Sequence, residues 1–338
     1  MSRPIISIVN SSTFGKHFAA HMETLEAFAD IRHVNVPADI DADALAAELK
    51  DTDGIIASVT PRFPRRTLEQ LDKLVLLVRH GIGCDNVDLE AATELGIPVS
   101  RVKGIVEKEA VAEYAVSILL AAARKVTQGS QAVKNSAWAT RAGMVGMELK
   151  GKTMGIIGLG NIGSRSSEIL SKGFGANVVA SDPYIAKERF AQFGAKEVSL
   201  DELIRTSHVI LFHCPLTDET RRMLGEAQFA SMQKGAILVN TCRGELIDED
   251  ALYAALQSGQ LGAYATDVIE GEPIDGNHRL AKLDNALITP HLGGYSWESL
   301  HGMGQTCVDD SVAVFQNQGV PGELANPEVL QKAYRKWQ

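Results

Sequence analysis

The sequence predicts an α/β protein of two domains, each built on a parallel sheet. Three observations carry that expectation. The chain has 338 residues, more than one ordinary hydrophobic core organises. Short apolar runs alternate with helical patterns at the rhythm of parallel βα units. One stretch, Thr153 to Asp182, reads strand, glycine turn, helix, second strand and acid.

In chain order, strands are expected at residues 4–9, 31–36, 54–58, 74–78 and 97–100, and helices at 17–29, 41–50, 65–71 and 89–95. This set lacks a phosphate-type glycine turn and forms a first domain. Residues 107–126, rich in Ala and Leu and apolar on nearly all sides, predict a helix buried between layers. Lys125 to Lys150 is polar, contains Gly129, Gly143 and Gly146, and reads as an irregular arm. Beyond Asp182, strands are expected near 208–212, 236–240, 263–267 and 286–289, with helices near 200–206, 225–232 and 248–258. A last long helix covers 297–317, and the tail, with Pro321 and Pro327, reads as an extended wrap.

The glycine stretch is the most informative. Met154 to Ile157 is a buried strand pattern. Gly158 permits the sharp bend, Gly160 the approach of backbone to a pyrophosphate, and Gly163 close packing of helix on strand. The helix from Ile162 to about Phe174 aims free N–H groups at phosphates. Gly-x-Gly-x-x-Gly alone is weak, but here the strand, the helix and the acid about 20 residues on are all in place. Asp182 suits the ribose hydroxyls of a dinucleotide and repels a ribose phosphate. No Lys or Arg follows before Lys187, so NAD is favoured over NADP. An ordinary role for Asp182, forming the turn before Pro183, is compatible with this.

Three chemistry-bearing residues follow strands of the second half, where open α/β sheets bind ligands. Arg243 stands in ILVNTCRGELIDE, Glu272 in DVIEGEP and His291 in ITPHLGG. A guanidinium forks onto a carboxylate. An imidazole hands over a proton near neutral pH, and a carboxylate beside it stabilises the imidazolium. Taken singly, Arg243 could pair with Glu245 or Asp248, Glu272 could be a turn residue before Pro273, and His291 could cap a loop. Their common position at strand ends of one sheet favours a site. His213 could line the cofactor pocket and His80 could lie near a substrate loop. His17, His21, His33, His208, His278 and His301 read as ordinary surface or core residues.

At 45% hydrophobic and 22% charged, the chain has the composition of a soluble globular protein. A net charge of −9 argues against nucleic acid or an anionic membrane as the main partner. The amino terminus reads as a first strand, not a signal peptide, and the apolar run 110–123 is too short to span a bilayer. Cys84, Cys214, Cys242 and Cys307 form no Cys-x-x-Cys pair, which suits reduced thiols in a cytoplasmic protein. No spacing suggests a metal site.

RHGIGCDNVDLEAATELGIPV, AVAEYAVSILLAAAR, GIIGLGNIG with Asp182, HCPLTDET, LVNTCRGELIDEDAL, TDVIEGEP and TPHLGG together resemble the D-isomer-specific 2-hydroxyacid dehydrogenases, over nearly the whole chain. The resemblance implies a Rossmann-type NAD domain, residues 103–297, inserted in a flavodoxin-like substrate domain, residues 1–102 and 298–338. It implies a homodimer built in part by the arm after residue 126. Arg243 would hold the substrate carboxylate and carbonyl, His291 would be the acid/base and Glu272 its partner. Backbone amides of His80, Gly81, Ile82 and Gly83 would cradle the carboxylate. Cofactor contacts would fall on Gly158, Gly160, Asn161, Ile162, Gly163, Asp182, Cys214, Thr241, Cys242, Asp267 and Gly293. NADH would reduce a small 2-oxo acid to the (R)-2-hydroxy acid as the cleft closes to exclude water.

Two departures from the family pattern bear on substrate. The RHGIGCDN block is most like phosphoglycerate dehydrogenases, but Ser58 stands where those usually carry an arginine, and the chain is too short for their carboxyl-terminal regulatory domain. Arg79 remains a possible phosphate ligand. Lys103 to Glu109 lacks the usual Pro/Asn-rich turn. Competing readings are an NAD-sensing corepressor-like protein, phosphoglycerate dehydrogenase proper, and formate dehydrogenase, which has Gln where Glu272 stands.

Overall fold

The computed structural model describes residues 3–332 and 334–336. The chain forms two compact units, one of residues up to 107 together with 296 onward, the other of residues 108–295. Each is built on one parallel sheet.

The first unit runs β1 (Ile5–Val9), α1 (Ala19–Glu26), β2 (Asp30–Val34), α2 (Ala42–Leu49), β3 (Gly54–Ala57), α3 (Arg65–Leu68), β4 (Leu76–Arg79), α4 (Leu89–Glu94) and β5 (Val99–Arg101). The strand order β2-β1-β3-β4-β5 is the flavodoxin-like order. Every residue of β3 and β4 is buried, which is why these strands read as continuous apolar runs. The helices start where the sequence supplies oxygen caps. Asp41 accepts from the amides of Asp43 and Ala44, and Asp88 from Ala91.

The second unit contains α5 (Lys108–Ala123), α6 (Val126–Lys134), β6 (Thr153–Ile157), α7 (Asn161–Glu168), β7 (Asn177–Ser181), α8 (Lys187–Gln192), β8 (Ala195–Glu197), α9 (Leu200–Thr206), β9 (Val209–Phe212), α10 (Glu226–Ser231), β10 (Ala236–Asn240), α11 (Glu249–Ser258), β11 (Leu261–Thr266) and β12 (Ala286–Ile288). Its order, β12-β11-β10-β9-β6-β7-β8, is the Rossmann order with one added strand. Two apolar clusters fill its faces, one around Leu119, Met154 and Leu170, the other around Phe212, Leu238 and Tyr264. The chain then returns to the first unit as α12 (Trp297–Phe315), capped by Ser296 through the amide of Ser299.

Three expectations need correction, and one strand was missed. The helix expected to reach Phe174 is α-helical only to Glu168 and widens into a π-type turn over Ile169–Gly173. Serine hydroxyls compete with the backbone there, Ser171 Oγ lying 2.7 Å from the Ser167 carbonyl. The arm is not irregular throughout. It holds α6 and a 3₁₀ turn, Trp138–Gly143, because Gly129 costs a helix only about 1 kcal/mol relative to Ala. The short edge strand β8 was hidden by its charged residues. The tail docks on the edge of β5 instead of simply wrapping. Ala325 N donates to Val99 O at 2.8 Å, Asn326 Oδ1 accepts from Val99 N at 2.9 Å, and a 3₁₀ turn covers Pro327–Gln331.

Candidate active site

β10, β11 and β12 lie side by side, so Arg243, Glu272 and His291 follow the carboxyl ends of three neighbouring strands. His291 Nδ1 lies 2.5 Å from Glu272 Oε1, and Glu272 Oε2 accepts from the Ile269 amide at 3.3 Å. Both side chains keep about a third of their surface, 32% and 28% exposed. The imidazole is therefore paired through one nitrogen on a site open to a ligand. His291 has φ +56, a left-handed conformation costly for a side chain with a Cβ.

Asp267 holds that conformation in place. Its Oδ1 accepts from Thr289 Oγ1 at 2.6 Å and from the Leu292 amide at 2.8 Å, and its Oδ2 from the Gly293 amide at 2.7 Å. The His291 amide donates to the Asp267 carbonyl at 3.0 Å. Burial pushes the Asp267 carboxyl up from its ordinary pKa. Asp267 and Gly293, both expected at the cofactor, thus also secure the loop that carries His291.

Arg243 is positioned from beneath. Asn240, fully buried, accepts from the Cys242 amide and donates to the Arg243 carbonyl. Arg243 Nη1 donates to the Cys242 carbonyl at 2.7 Å. Gly244 is pressed onto the Glu272 loop. A Cβ there would come 2.0 Å from the Glu270 nitrogen. Asn240 and Gly244 were not singled out from sequence, although they flank Arg243 in NTCRGE.

The glycine turn ends β6, beside β9, at the point where strand order reverses. Gly158 has φ +91, and a Cβ on it would strike the His213 carbonyl at 2.6 Å. At Gly163 a Cβ would meet the Gly158 carbonyl at 2.0 Å. At Gly160 it would meet nothing within 4 Å, so this glycine opens space at the start of α7. Asn161 and Ile162 form the first turn of α7, which no side chain caps. Asp182 Oδ2 accepts from Leu159 N at 2.7 Å, fixing the acid at the turn.

Several buried polar atoms nearby have no partner: Thr241 Oγ1 and both ring nitrogens of His213. Burial drops the His213 pKa to about 3, leaving its ring neutral. Burial pushes the Cys214 thiol up to about 11, and raises the Cys242 thiol as well. Cys242 Sγ lies 3.0 Å from the Phe212 carbonyl. Neither cysteine is poised as a nucleophile. The open glycine, the uncapped helix start and the orphaned polar atoms fit a bound dinucleotide.

The first unit's loop after β4 departs from expectation. The His80 amide donates to the Ala57 carbonyl at 2.9 Å, which narrows the expected cradle to Gly81, Ile82 and Gly83. Arg79 is buried, with Nε on the Gly83 carbonyl at 2.7 Å and Nη1 on the Ala57 carbonyl at 2.8 Å. It braces the loop through these two carbonyls. His17, His21 and His301, read from sequence as ordinary surface or core residues, pack together. With Phe14, Phe18, His80 and Trp297 they form a chain of ring contacts with centroids 5.0–6.1 Å apart. Among the described residues no group of acidic, His or Cys side chains could hold a metal, and no helix is long and apolar enough to cross a membrane.

Residues 116–293, inside the second unit, match the family model "D-isomer specific 2-hydroxyacid dehydrogenase, NAD binding domain". A glyoxylate reductase of Aeropyrum pernix is 38% identical over 85% of this chain and 87% of its own length. A D-3-phosphoglycerate dehydrogenase of Methanocaldococcus jannaschii is 36% identical over 94% of this chain, which spans only 60% of that protein. The apo-structure of D-lactate dehydrogenase from Escherichia coli superposes with a TM-score of 0.81 at 30% identity, covering 95% of this chain and 99% of that one. Family-model match, sequence identity and paired parallel sheets agree that the chain belongs to the D-isomer specific 2-hydroxyacid dehydrogenase family and is an NAD(P)-dependent oxidoreductase.

Proposed function

We propose that this chain reduces a small, unphosphorylated 2-oxo acid to the (R)-2-hydroxy acid, reversibly, with NADH. The observation that carries the reading is the 2.5 Å contact between His291 and Glu272 on the same sheet edge as the glycine turn. Gly158, Gly160, Asn161, Ile162 and Asp182 would hold a dinucleotide, whose nicotinamide would supply the hydride that the carbonyl carbon takes up. Glu272 occupies Nδ1 of His291, so the proton reaches the carbonyl oxygen from Nε2. The product gains one hydride and one proton, and Glu272 stabilises the imidazolium before transfer. Arg243, braced by Asn240 and Gly244, forks onto the substrate carboxylate and polarises the carbonyl.

Asp182 supports NAD over NADP, and the buried, carbonyl-bound Arg79 supports an unphosphorylated substrate. The arm exposes Val126 (57%), Val133 (58%), Trp138 (65%) and Val145 (80%), which supports a homodimer that covers them. Cys214, Cys242 and Cys307 stand as thiols, not disulfides, which supports a cytoplasmic location.

The test is NADH absorbance with purified protein and a panel of glyoxylate, hydroxypyruvate, pyruvate, branched 2-oxo acids and 3-phosphohydroxypyruvate. Turnover of at least one unphosphorylated acid, faster with NADH than with NADPH, is expected. Tight NADH binding without turnover of any acid would replace the enzyme reading with a binding protein. Equal rates with NADPH would remove the cofactor preference.

A further inference from the structure

The two loops that flank the glycine turn are tied to each other. β7 and β9 lie on either side of β6, so the chain after each of them borders the turn at the end of β6. On the β7 side, Asp182 grips the turn. Its Oδ2 accepts from the Leu159 amide at 2.7 Å and its Oδ1 from the Tyr184 amide at 2.9 Å. On the β9 side, the chain presses on Gly158. A Cβ there would come within 2.6 Å of the His213 carbonyl oxygen and 2.8 Å of the Cys214 nitrogen. Tyr184 Oη donates to Glu219 Oε2 at 3.3 Å and so joins the two sides.

Both partners are held from behind. The Tyr184 ring is 84% exposed, so the core does not fix it. Its backbone bond to Asp182 and its hydroxyl bond to Glu219 direct it. Glu219 sits in a turn that neighbouring threonines latch. Thr220 Oγ1 donates to the Pro215 carbonyl at 2.8 Å and accepts from the Thr217 amide at 2.8 Å. The Arg221 amide donates to the Thr217 carbonyl at 2.9 Å. Two anchored loops therefore meet through one exposed hydrogen bond, the weakest point of the ring of contacts around the glycine turn.

We propose that Tyr184 and Glu219 form a strap across the adenosine end of the dinucleotide crevice, and that the strap slows release of NADH. This rests on the glycine turn and Asp182 being the dinucleotide site of the proposed function. An open α/β sheet takes its ligand outside the strand ends where strand order reverses, here beside β6. The acid suited to ribose hydroxyls stands two residues before Tyr184, so the strap belongs to the adenosine half. The nicotinamide half belongs with His291, beyond β12. A dinucleotide seated there leaves when the Tyr184 hydroxyl lets go of Glu219, as a lid sets the rate of product release. Sequence alone hides the pair, because its members are 35 residues apart and each reads as an ordinary loop residue.

The test is stopped-flow fluorescence of NADH leaving the protein when chased with excess NAD. Tyr184→Phe removes the donor and Glu219→Ala the acceptor, and both side chains are exposed, so neither change opens the core. Each is expected to speed release about fivefold, the scale of one net hydrogen bond. The double variant should be no faster than either single one, because both lose the same bond. Glu219→Gln keeps an acceptor oxygen and should release NADH at the parental rate. Parental release from Tyr184→Phe, or additive effects in the double variant, overturns the proposal. So does a Glu219→Gln protein as fast as Glu219→Ala, which would make charge the cause. Faster association with parental release also overturns it, since the contact would then obstruct the crevice. If the parent binds NADH but turns over no 2-oxo acid, the catalytic reading fails by itself and the release rates still decide the strap. If the parent does not bind NADH, the strap falls with the cofactor site.

Discussion

Both sheets carry histidines at their carboxyl ends, and the two edges treat them in opposite ways. His291, after β12, is paired with Glu272 through Nδ1 and left partly open. His80, after β4, packs edge-on against Phe14 with its Nε2 buried and without a partner, and desolvation, then Arg79 and His21, drop its pKa to about 4. His21 is only 3% exposed and is also shifted down, by burial and then by His301, against an upward pull from Asp309. Residue type therefore says little about proton traffic. A carboxylate at hydrogen-bond distance and an open face set His291 apart, whereas burial of the ring and a nearby guanidinium keep His80 a neutral packing residue.

The largest effect expected from this contrast is at His291. His291→Ala should cut turnover about 100-fold or more, the usual scale for losing a general acid, with NADH affinity kept. Steady-state rates together with NADH fluorescence titration check this. Near-parental turnover would make the paired histidine as inert as the buried one.

A second prediction concerns the neutral histidines. The His80 pKa falls from 6.5 to about 4 on folding, so between those values the unfolded chain binds a proton that the folded chain refuses. Stability from this group is full above pH 6.5 and is lost as pH falls toward 4, on the order of 3 kcal/mol for the full shift. His213, whose pKa desolvation also lowers, works in the same direction. Buried Asp53, Asp267 and Asp310, shifted upward, oppose it. Denaturant midpoints of parent and His80→Phe from pH 7.5 to 4.5 isolate the His80 share. The parent should lose its advantage as pH drops, and parallel curves would contradict a buried neutral ring.

What the sequence disclosed follows the same line between local and assembled features. The glycine turn and β6 to β7 were legible because strand, bend, helix and acid are consecutive, and Gly158 and Gly163 each have a steric reason to be there. Glu272 and His291 were legible as candidates by their place after strands, but their contact joins residues 19 apart that meet only when β11 and β12 pair. The ring chain from His17 to Trp297 was not legible, since it is gathered from two loops and two helices with no shared period. Neither was the engagement of Arg79, whose charge suggested a ligand while its carbonyl partners sit in the β3 and β4 loops.

Gly244 offers the finest test of the difference between the edges. A Cβ there would lie 2.0 Å from the Glu270 nitrogen and 2.3 Å from the Ile269 carbonyl carbon, both backbone atoms that cannot swing aside. Gly244→Ala must therefore push the Arg243 turn and the Glu272 loop apart, at a cost of about 1–3 kcal/mol. Because His291 depends on Glu272 Oε1, the displacement should lower kcat as well as the melting temperature. It should leave the acid sensitivity contributed by His80 unchanged, since that ring belongs to the other unit. A Gly244→Ala protein with lower stability but parental kcat would show that the Glu272 loop tolerates movement. The pairing of His291 would then owe more to Asp267 beneath its loop than to the contact between Gly244 and Glu270.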